Sequence, residues 1–258
     1  MGELLRRRMA GRLGKLVTAA LAAVGAGVSV AACGDPAPPA PPPSQGTVLD
    51  RPVPDVPLLD AQGRTVSLAS FRGRIIVMAP YLTLCQEECP LVAGAFLSLQ
   101  RDLVAAGLSR KVTILTVSVD PWRDSPARLA AYQARFGIHW PMLTGSLPTL
   151  RRFWSSFGVY FQKVPEGSPP GTDWLTGAPL TMDVVHTDGF VLLDARGHER
   201  FFDANMPDLH GHLRPDLAHL LDGQGLANLR HPAGPTWTLS DLRAAVGWLA
   251  GRQIPASS

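Results

Sequence analysis

Short apolar runs alternate with segments of helical periodicity through the middle of this 258-residue chain. Ile75–Met78 and the β-branched Val112–Val119 each have the pattern of a buried strand, because a strand covered on both faces is continuously apolar. Apolar side chains recur at helical spacing in three further segments, which are Val92 to Leu103, Leu129 to Phe136 and Leu150 to Phe157. This order predicts an α/β fold in which helices flank a central mixed β-sheet.

Two turn signals add hairpins to this pattern. A turn-forming segment rich in polar residues predicts an N-terminal hairpin formed by Val56–Leu59 and Thr65–Leu68. The Asp188-Gly189 pair predicts a second hairpin, formed by Val184–Val185 and Phe190–Leu193. Both hairpins are expected to lie beside the strands of the central sheet.

The N-terminal segment, residues 1–33, has the pattern of an export signal. Five basic residues precede an apolar stretch from Leu16 to Ala32, which is short for a membrane-spanning helix of about 20 residues. Val30-Ala31-Ala32-Cys33 resembles a bacterial lipobox, in which the cysteine is lipidated and becomes the new N-terminus. An ordinary signal peptide with an incidental cysteine is the alternative. We expect an exported protein anchored to the cell membrane through Cys33, with its domain on the extracytoplasmic side.

The rest of the chain divides by composition. Residues 34–47 are rich in proline and predict an extended tether. A single domain is predicted over residues 48–202, followed by a partly helical C-terminal extension over residues 203–258 with one helix near Ser240 to Leu249. The net charge of +3 comes from the signal, since residues 1–32 hold five basic residues and one acid. The remainder is close to −1, which argues against nucleic acid as a partner.

Cys85 and Cys89 form the one dithiol that remains if Cys33 carries lipid. Pro90 is tolerated in the first turn of a helix, so the thiols are predicted at the N-terminus of the first helix, within roughly 6 Å of each other. A helix N-terminus stabilises the thiolate, which is both a nucleophile and a metal ligand. A structural disulfide is another interpretation, although so short a loop stabilises a fold little.

The ligand chemistry of a dithiol limits which metals it suits. Soft thiolates favour Cu(I), zinc or iron–sulfur centres, but two thiolates are too few for a tetrahedral zinc site. One imidazole would complete a three-coordinate site that suits copper. Of the seven histidines, His186 is the first candidate because it ends a strand-like segment just before a turn. His210 and His212, with His219 nearby, form a weaker candidate for a second metal site.

Several segments resemble the Sco/SenC family of copper proteins. The segment from Thr83 to Pro90 resembles the family's T-x-C-x-x-x-C-P signature, and Val117 to Pro126 resembles its S-V-D-P-x-R-D-T-P segment. Leu143 to Gly145 matches a recurrent L-T-G, and His186 lies where the family has its ligand histidine. The resemblance extends over roughly residues 50–200. The chain departs from the usual pattern between the two cysteines, with Gln-Glu-Glu, and around His186, where the usual preceding aspartate is shifted.

The resemblance implies a thioredoxin-like fold that binds one copper ion, as Cu(I) or Cu(II), through Cys85, Cys89 and His186. Sco/SenC proteins take part in building the binuclear copper centre of cytochrome c oxidase, by delivering the metal or by reducing the thiols of that centre. The implied partners are the copper-site subunit of the oxidase and an upstream copper donor or thiol reductant.

Two other functions use the same residues. Cys85 and Cys89 could form the redox-active pair of a thiol–disulfide oxidoreductase, or belong to a copper or redox sensor. Such oxidoreductases usually carry Cys-x-x-Cys, so the wider spacing favours a metallochaperone over an enzyme. Asp120 could tune the protonation of the thiols or contact a partner. We favour a local role, in which Asp120 and Asp124 organise the strand-to-helix turn in an ion pair with Arg123.

Overall fold

The computed structural model describes residues 46–257. The predicted export signal, Cys33 and most of the predicted tether therefore lie outside the described residues. An eight-stranded sheet forms the centre of the described part. From one edge to the other its strands are β1 (Thr47–Pro52), β10 (His198–Asp203), β9 (Phe190–Leu193), β4 (Ile75–Tyr81), β5 (Val112–Ser118), β6 (Met142–Thr144), β2 (Leu58–Asp60) and β3 (Thr65–Val66).

The central strands have the thioredoxin arrangement. β4 and β5 are parallel and are joined through helix α1 (Cys89–Ala105), and β9 pairs antiparallel with both β4 and β10. β6 continues the parallel part beyond β5, after helix α2 (Pro126–Phe136). Helix α6 (Leu239–Ala250) packs against α1 and β4. The predicted mixed sheet with flanking helices and the predicted N-terminal hairpin, β2–β3, are thus confirmed.

The local sequence explains these elements. Every residue of β4 and β5 is buried, as expected for strands with both faces covered. Helix α2 begins where the Ser125 hydroxyl accepts the backbone N–H of Arg128 at 3.2 Å, with Pro126 in the first turn. It ends at Gly137, whose φ of 63° is left-handed. Helix α3 (Leu147–Ser155) buries Phe153 and Trp154, and the Trp154 indole N–H donates to the Ser118 carbonyl oxygen of β5 at 2.9 Å.

The second predicted hairpin is wrong. Strand β8 (Met182–His186) pairs with β7 (Phe161–Pro165) in a separate two-stranded sheet, while β9 lies between β4 and β10. The burial patterns fit the placement of β8 and β9 in different sheets. All four residues of β9 are buried, whereas along β8 buried residues alternate with more exposed ones. The chain passes between the two sheets at Gly189, where φ is 102° and an added Cβ would overlap the backbone of Asp203.

The C-terminal residues add a second two-stranded sheet and three helices. β11 (Met206–Asp208) pairs in parallel with β12 (Thr236–Thr238), and α4 (Pro215–Ala218) and α5 (Gly223–Arg230) lie between them in the chain. Helix α6, which contains the whole of the predicted final helix, packs on the sheet as part of the main fold. Within residues 46–257, no helix has both the length and the apolar character needed to cross a membrane.

Two aspartates at the end of β5 take different partners. The predicted ion pair between Asp120 and Arg123 is confirmed, with Nε donating to the carboxylate at 2.5 Å. Asp124 does not join it. Its buried carboxylate accepts the Thr83 hydroxyl at 2.6 Å and the Ser118 hydroxyl at 2.7 Å. This contact fastens the segment that precedes Cys85 to the end of β5.

Replacing Asp124 with asparagine is expected to remove part of the pH dependence of stability. Burial, followed by the charge of Asp120, raises the pKa of Asp124 to about 7. A carboxyl group whose pKa is raised on folding stabilises the fold at low pH, and that stability is lost as the pH rises from about 4 to about 7, by up to about 4 kcal/mol. Denaturant unfolding at several pH values should show this decline in the wild type and a flatter profile in Asp124→Asn. Parallel profiles would contradict the assignment.

Candidate functional site

The two cysteines lie where β4 gives way to α1. The Cys85 sulfur accepts the backbone N–H groups of Glu88 at 3.4 Å and Cys89 at 3.3 Å. The Cys89 sulfur accepts the backbone N–H of Leu82 at 3.4 Å. Cys89 is buried, Cys85 is half-buried, and both are free thiols. The structure therefore brings the predicted dithiol to the N-terminus of a helix, whose unpaired N–H groups favour negative charge on sulfur.

His186 reaches the same place from the other sheet. It is the last residue of β8, and its side chain, 8% exposed, lines the same cleft as Cys85. Its Nδ1 lies 3.0 Å from the Thr187 carbonyl oxygen and 3.6 Å from the Asp188 carboxylate. A carbonyl oxygen only accepts, so Nδ1 carries a proton and Nε2 is the nitrogen left for a ligand. The structure thus brings together all three residues of the predicted site.

The surroundings of the two thiols shift their pKa values in opposite directions. A hydrogen bond with Cys89 lowers the pKa of Cys85 well below its ordinary value, against the effect of burial, and His186 adds a second hydrogen bond and its positive charge. Burial and the neighbouring Cys85 raise the pKa of Cys89. Burial opposes the charge on His186, but Cys85 and Asp188 outweigh it and raise that pKa to about 9. Of the two thiols, Cys85 is therefore the one biased toward the thiolate.

A cleft of about 440 Å³ opens onto Cys85 and His186. Six carboxylates line it, which are those of Glu87, Glu88, Glu166, Asp183, Asp188 and Asp222. Within residues 46–257, neither lysine nor arginine contributes to its lining. Burial is the main cause that raises the pKa of Glu87 to about 7, and burial followed by a hydrogen bond with Asp188 raises that of Glu88 to about 10. Near pH 7 Glu88 is therefore protonated and Glu87 only partly ionised. The negative potential of the cleft comes mainly from the remaining acidic side chains.

The sequence showed only part of this lining. Glu87 and Glu88 lie between the cysteines and could have been proposed as site residues from their position alone. Asp222, by contrast, reaches the cleft from 133 residues beyond Cys89, and no motif marks it. Tertiary packing is the only signal for it.

The potential metal ligands of the described residues do not yet surround a common metal position. Among residues 46–257, no three His, Cys, Asp or Glu side chains already stand in position to hold a metal ion. The second candidate site, at His210, His212 and His219, does not form: these side chains are exposed, and His210 pairs with Asp208 at 3.2 Å. Metal binding at the dithiol would therefore require its side chains to move together.

Cys85 is expected to react with alkylating agents before Cys89 does. The thiolate is the reactive form, and Cys85 has both the lowered pKa and the greater exposure. Brief treatment of the reduced protein with iodoacetamide at pH 7, followed by peptide mass spectrometry, should label Cys85 selectively. Cys89→Ala should slow this reaction, since it removes the side-chain donor that is the largest cause of the lowered pKa. Preferential labelling of Cys89 would contradict the assignment.

Comparisons with family models and with known proteins point to the same family. The SCO1/SenC family model matches residues 51–208. The chain is 29% identical over 135 residues to the mitochondrial SCO2 homologue of Bos taurus, covering 52% of this chain and 50% of that protein. It is 31% identical over 142 residues to the SCO1 homologue of Bacillus subtilis, covering 53% of this chain and 69% of that protein. The chain thus spans about half the length of the Bos taurus relative.

Among solved structures, Bradyrhizobium japonicum ScoI with copper bound is 26% identical and has a TM-score of 0.48. That match covers 69% of this chain and 98% of the ScoI chain. The family match itself extends over more than half of the sequence and includes Cys85, Cys89 and His186. The chain belongs to the SCO1/SenC family.

Proposed function

We propose that this protein binds one copper ion through Cys85, Cys89 and His186 and helps to build the binuclear copper centre of cytochrome c oxidase. The observation that carries the proposal is the position of the Cys85 sulfur, which accepts the backbone N–H of Cys89 at 3.3 Å and shares a cleft with His186. The family resemblance implies the same three ligands and the same cargo.

The donor set fits copper better than other common metals. Two thiolates and one imidazole form a soft, low-coordinate set that suits Cu(I). The hydrogen bond from Nδ1 of His186 to the Thr187 carbonyl fixes the ring so that Nε2 would be the ligand. The carboxylates of the cleft favour the approach of a cation.

The protonation states describe what uptake would require of the protein. Cys85 is already biased toward the thiolate, but the raised pKa of Cys89 keeps its proton in the metal-free state. Binding would release the Cys89 proton and, because the pKa of His186 is raised to about 9, the second proton of that ring. Affinity should therefore rise with pH. Both cysteines must also be reduced beforehand, which implies a thiol reductant as a partner.

Reduction of the oxidase thiols is the second candidate function, favoured by the unequal thiols. The Cys85 thiolate would attack a disulfide of the partner, forming a mixed disulfide and releasing one partner thiolate. Cys89, after losing its proton, would attack Cys85, releasing the second partner thiolate and leaving Cys85–Cys89 oxidised. Two electrons pass to the partner, and an external thiol reductant would restore the dithiol. A copper or redox sensor would use the same groups.

We further propose that Cys33 is lipidated and that the proline-rich segment tethers the domain to the extracytoplasmic side of the membrane. The lipobox-like sequence supports the anchor, and the proline content supports an extended spacer. A tethered domain would be held near a membrane-bound oxidase at a high effective concentration.

Cu(I) titration of the reduced full chain in detergent tests the metal site. We expect one equivalent to bind, with binding lost in Cys85→Ser and Cys89→Ser and weakened by about tenfold or more in His186→Ala. His212→Ala, which removes an exposed histidine outside the site, is the matched control and should bind as the wild type does. Equal affinity in His186→Ala and the wild type would refute this ligand set. Rapid metal-free reduction of a partner disulfide would favour the reductase function.

Membrane fractionation tests the anchor. The wild type should sediment with membranes and incorporate labelled fatty acid, whereas Cys33→Ser should incorporate none. The Cys33→Ser protein should also be recovered without the mobility shift caused by processing at the lipobox. Fatty-acid labelling that persists in Cys33→Ser would refute the proposal.

A further inference from the structure

The loop between the two cysteines is held by a segment beyond the family match. The family model ends at residue 208, and helix α5 begins at Gly223 directly against the loop. The backbone N–H of Asp222, the residue that caps α5, donates to the carbonyl oxygen of Gln86 at 2.9 Å. The side chain of Asp222 accepts the N–H of Gly225 at 2.7 Å, so one residue both caps the helix and contacts the loop.

Gly225 brings the helix close to the loop backbone. It is buried, and a Cβ built on it would overlap the Gln86 carbonyl oxygen and lie 3.0 Å from the Cα of Glu87. These two neighbours are backbone atoms, so neither can rotate away as a side chain would. The third close atom, Cδ2 of Leu221 at 2.9 Å, belongs to a flexible side chain. Gly223, two residues earlier in the same helix, is exposed and has open space around it. The close approach is therefore specific to the first buried position of α5.

The other side of the loop is held as well. The side-chain amide of Gln86 donates to the Thr172 carbonyl oxygen at 3.0 Å. The next residue, Asp173, forms a two-point ion pair with Arg128 at 2.9 and 2.8 Å, which fixes that segment to helix α2. Gln86 is thus held through its side chain by the connection between β7 and β8, and through its backbone by α5.

The contact of α5 with Gln86 affects the thiols through the backbone of the cysteine loop. The Cys85 sulfur accepts the backbone N–H groups of Glu88 and Cys89, which directly follow the Gln86-Glu87 segment that α5 contacts. A shift of that segment would move these two donors away from the sulfur and weaken the stabilisation of the thiolate. We propose that the N-terminus of α5, through the Asp222 N–H and Gly225, is a positioning element that sets the dithiol–disulfide equilibrium of Cys85 and Cys89.

The inference rests on the proposed function in that the dithiol is the working group of the protein. It does not require copper, because the positioned atoms are the thiols themselves. A metal-free measurement can therefore fail without affecting the copper proposal, and the failure of copper binding in the wild type would leave this contact untouched.

The test compares Gly225→Ala with Gly223→Ala in the full chain, in detergent and free of metal. The change in helix propensity is of the same kind in both variants, so the two differ mainly in the contact with Gln86. Equilibration with glutathione redox buffers should show the Gly225→Ala dithiol shifted toward the disulfide by about tenfold, or ~30 mV, because the reduced form loses stabilisation. Alkylation of Cys85 at pH 7 should slow in parallel. Gly223→Ala should match the wild type in both measurements.

A second pair of variants covers the case in which Gly225→Ala does not fold. Asp222→Ala removes the helix cap, and Asp222→Pro removes the cap and the N–H that Gln86 accepts, at a φ of −82° that proline tolerates. The proposal expects a larger shift toward the disulfide in Asp222→Pro than in Asp222→Ala. It is overturned if folded Gly225→Ala has the wild-type equilibrium and Cys85 reactivity, or if the two Asp222 variants are equal in both.

Discussion

The junction between β4 and α1 is the constraint on which the site depends. A continuously buried strand ends beside its parallel neighbour, and the next helix starts within a few residues. The unpaired N–H groups of that helix point at the Cys85 sulfur, so the backbone itself stabilises the thiolate. The adjacent buried core fixes where these groups point. Changes in the sheet or in α1 would therefore be expected to alter the chemistry of the dithiol.

Three separate parts of the chain converge on this junction. Asp124, after β5, holds Thr83 on one side of the cysteine loop, and β8 delivers His186 to the other side. The N-terminus of α5 contacts the loop backbone at Gln86. A short loop between two cysteines would otherwise sample many conformations, and each would give the thiols different partners. Contacts from several elements restrict the loop to one conformation, in which the two thiols have different pKa values.

The acid-lined cleft relates this arrangement to the proposed function. Carboxylates around Cys85 and His186 oppose the thiolate, so the negative charge of the site is held in place by the helix and by His186 rather than by its wider surroundings. The same carboxylates attract cations and would disfavour acidic partners. We expect the surface of a partner that approaches this cleft to be basic.

The sequence alone determined the central strands, the first three helices, the N-terminal hairpin and the family, because each depends on local periodicity, capping residues or a contiguous motif. It also singled out Cys85, Cys89 and His186, the last through its place at the end of a strand-like segment and in the family pattern. It was wrong about the pairing of β8 and β9, since an Asp-Gly turn does not show whether the chain returns to the same sheet. Only the tertiary structure decided that pairing, the partner of Asp124, and the contact of Asp222 and Gly225 with the cysteine loop. These contacts join residues far apart in the chain, and local propensity does not predict which distant backbone segment the end of a helix will contact.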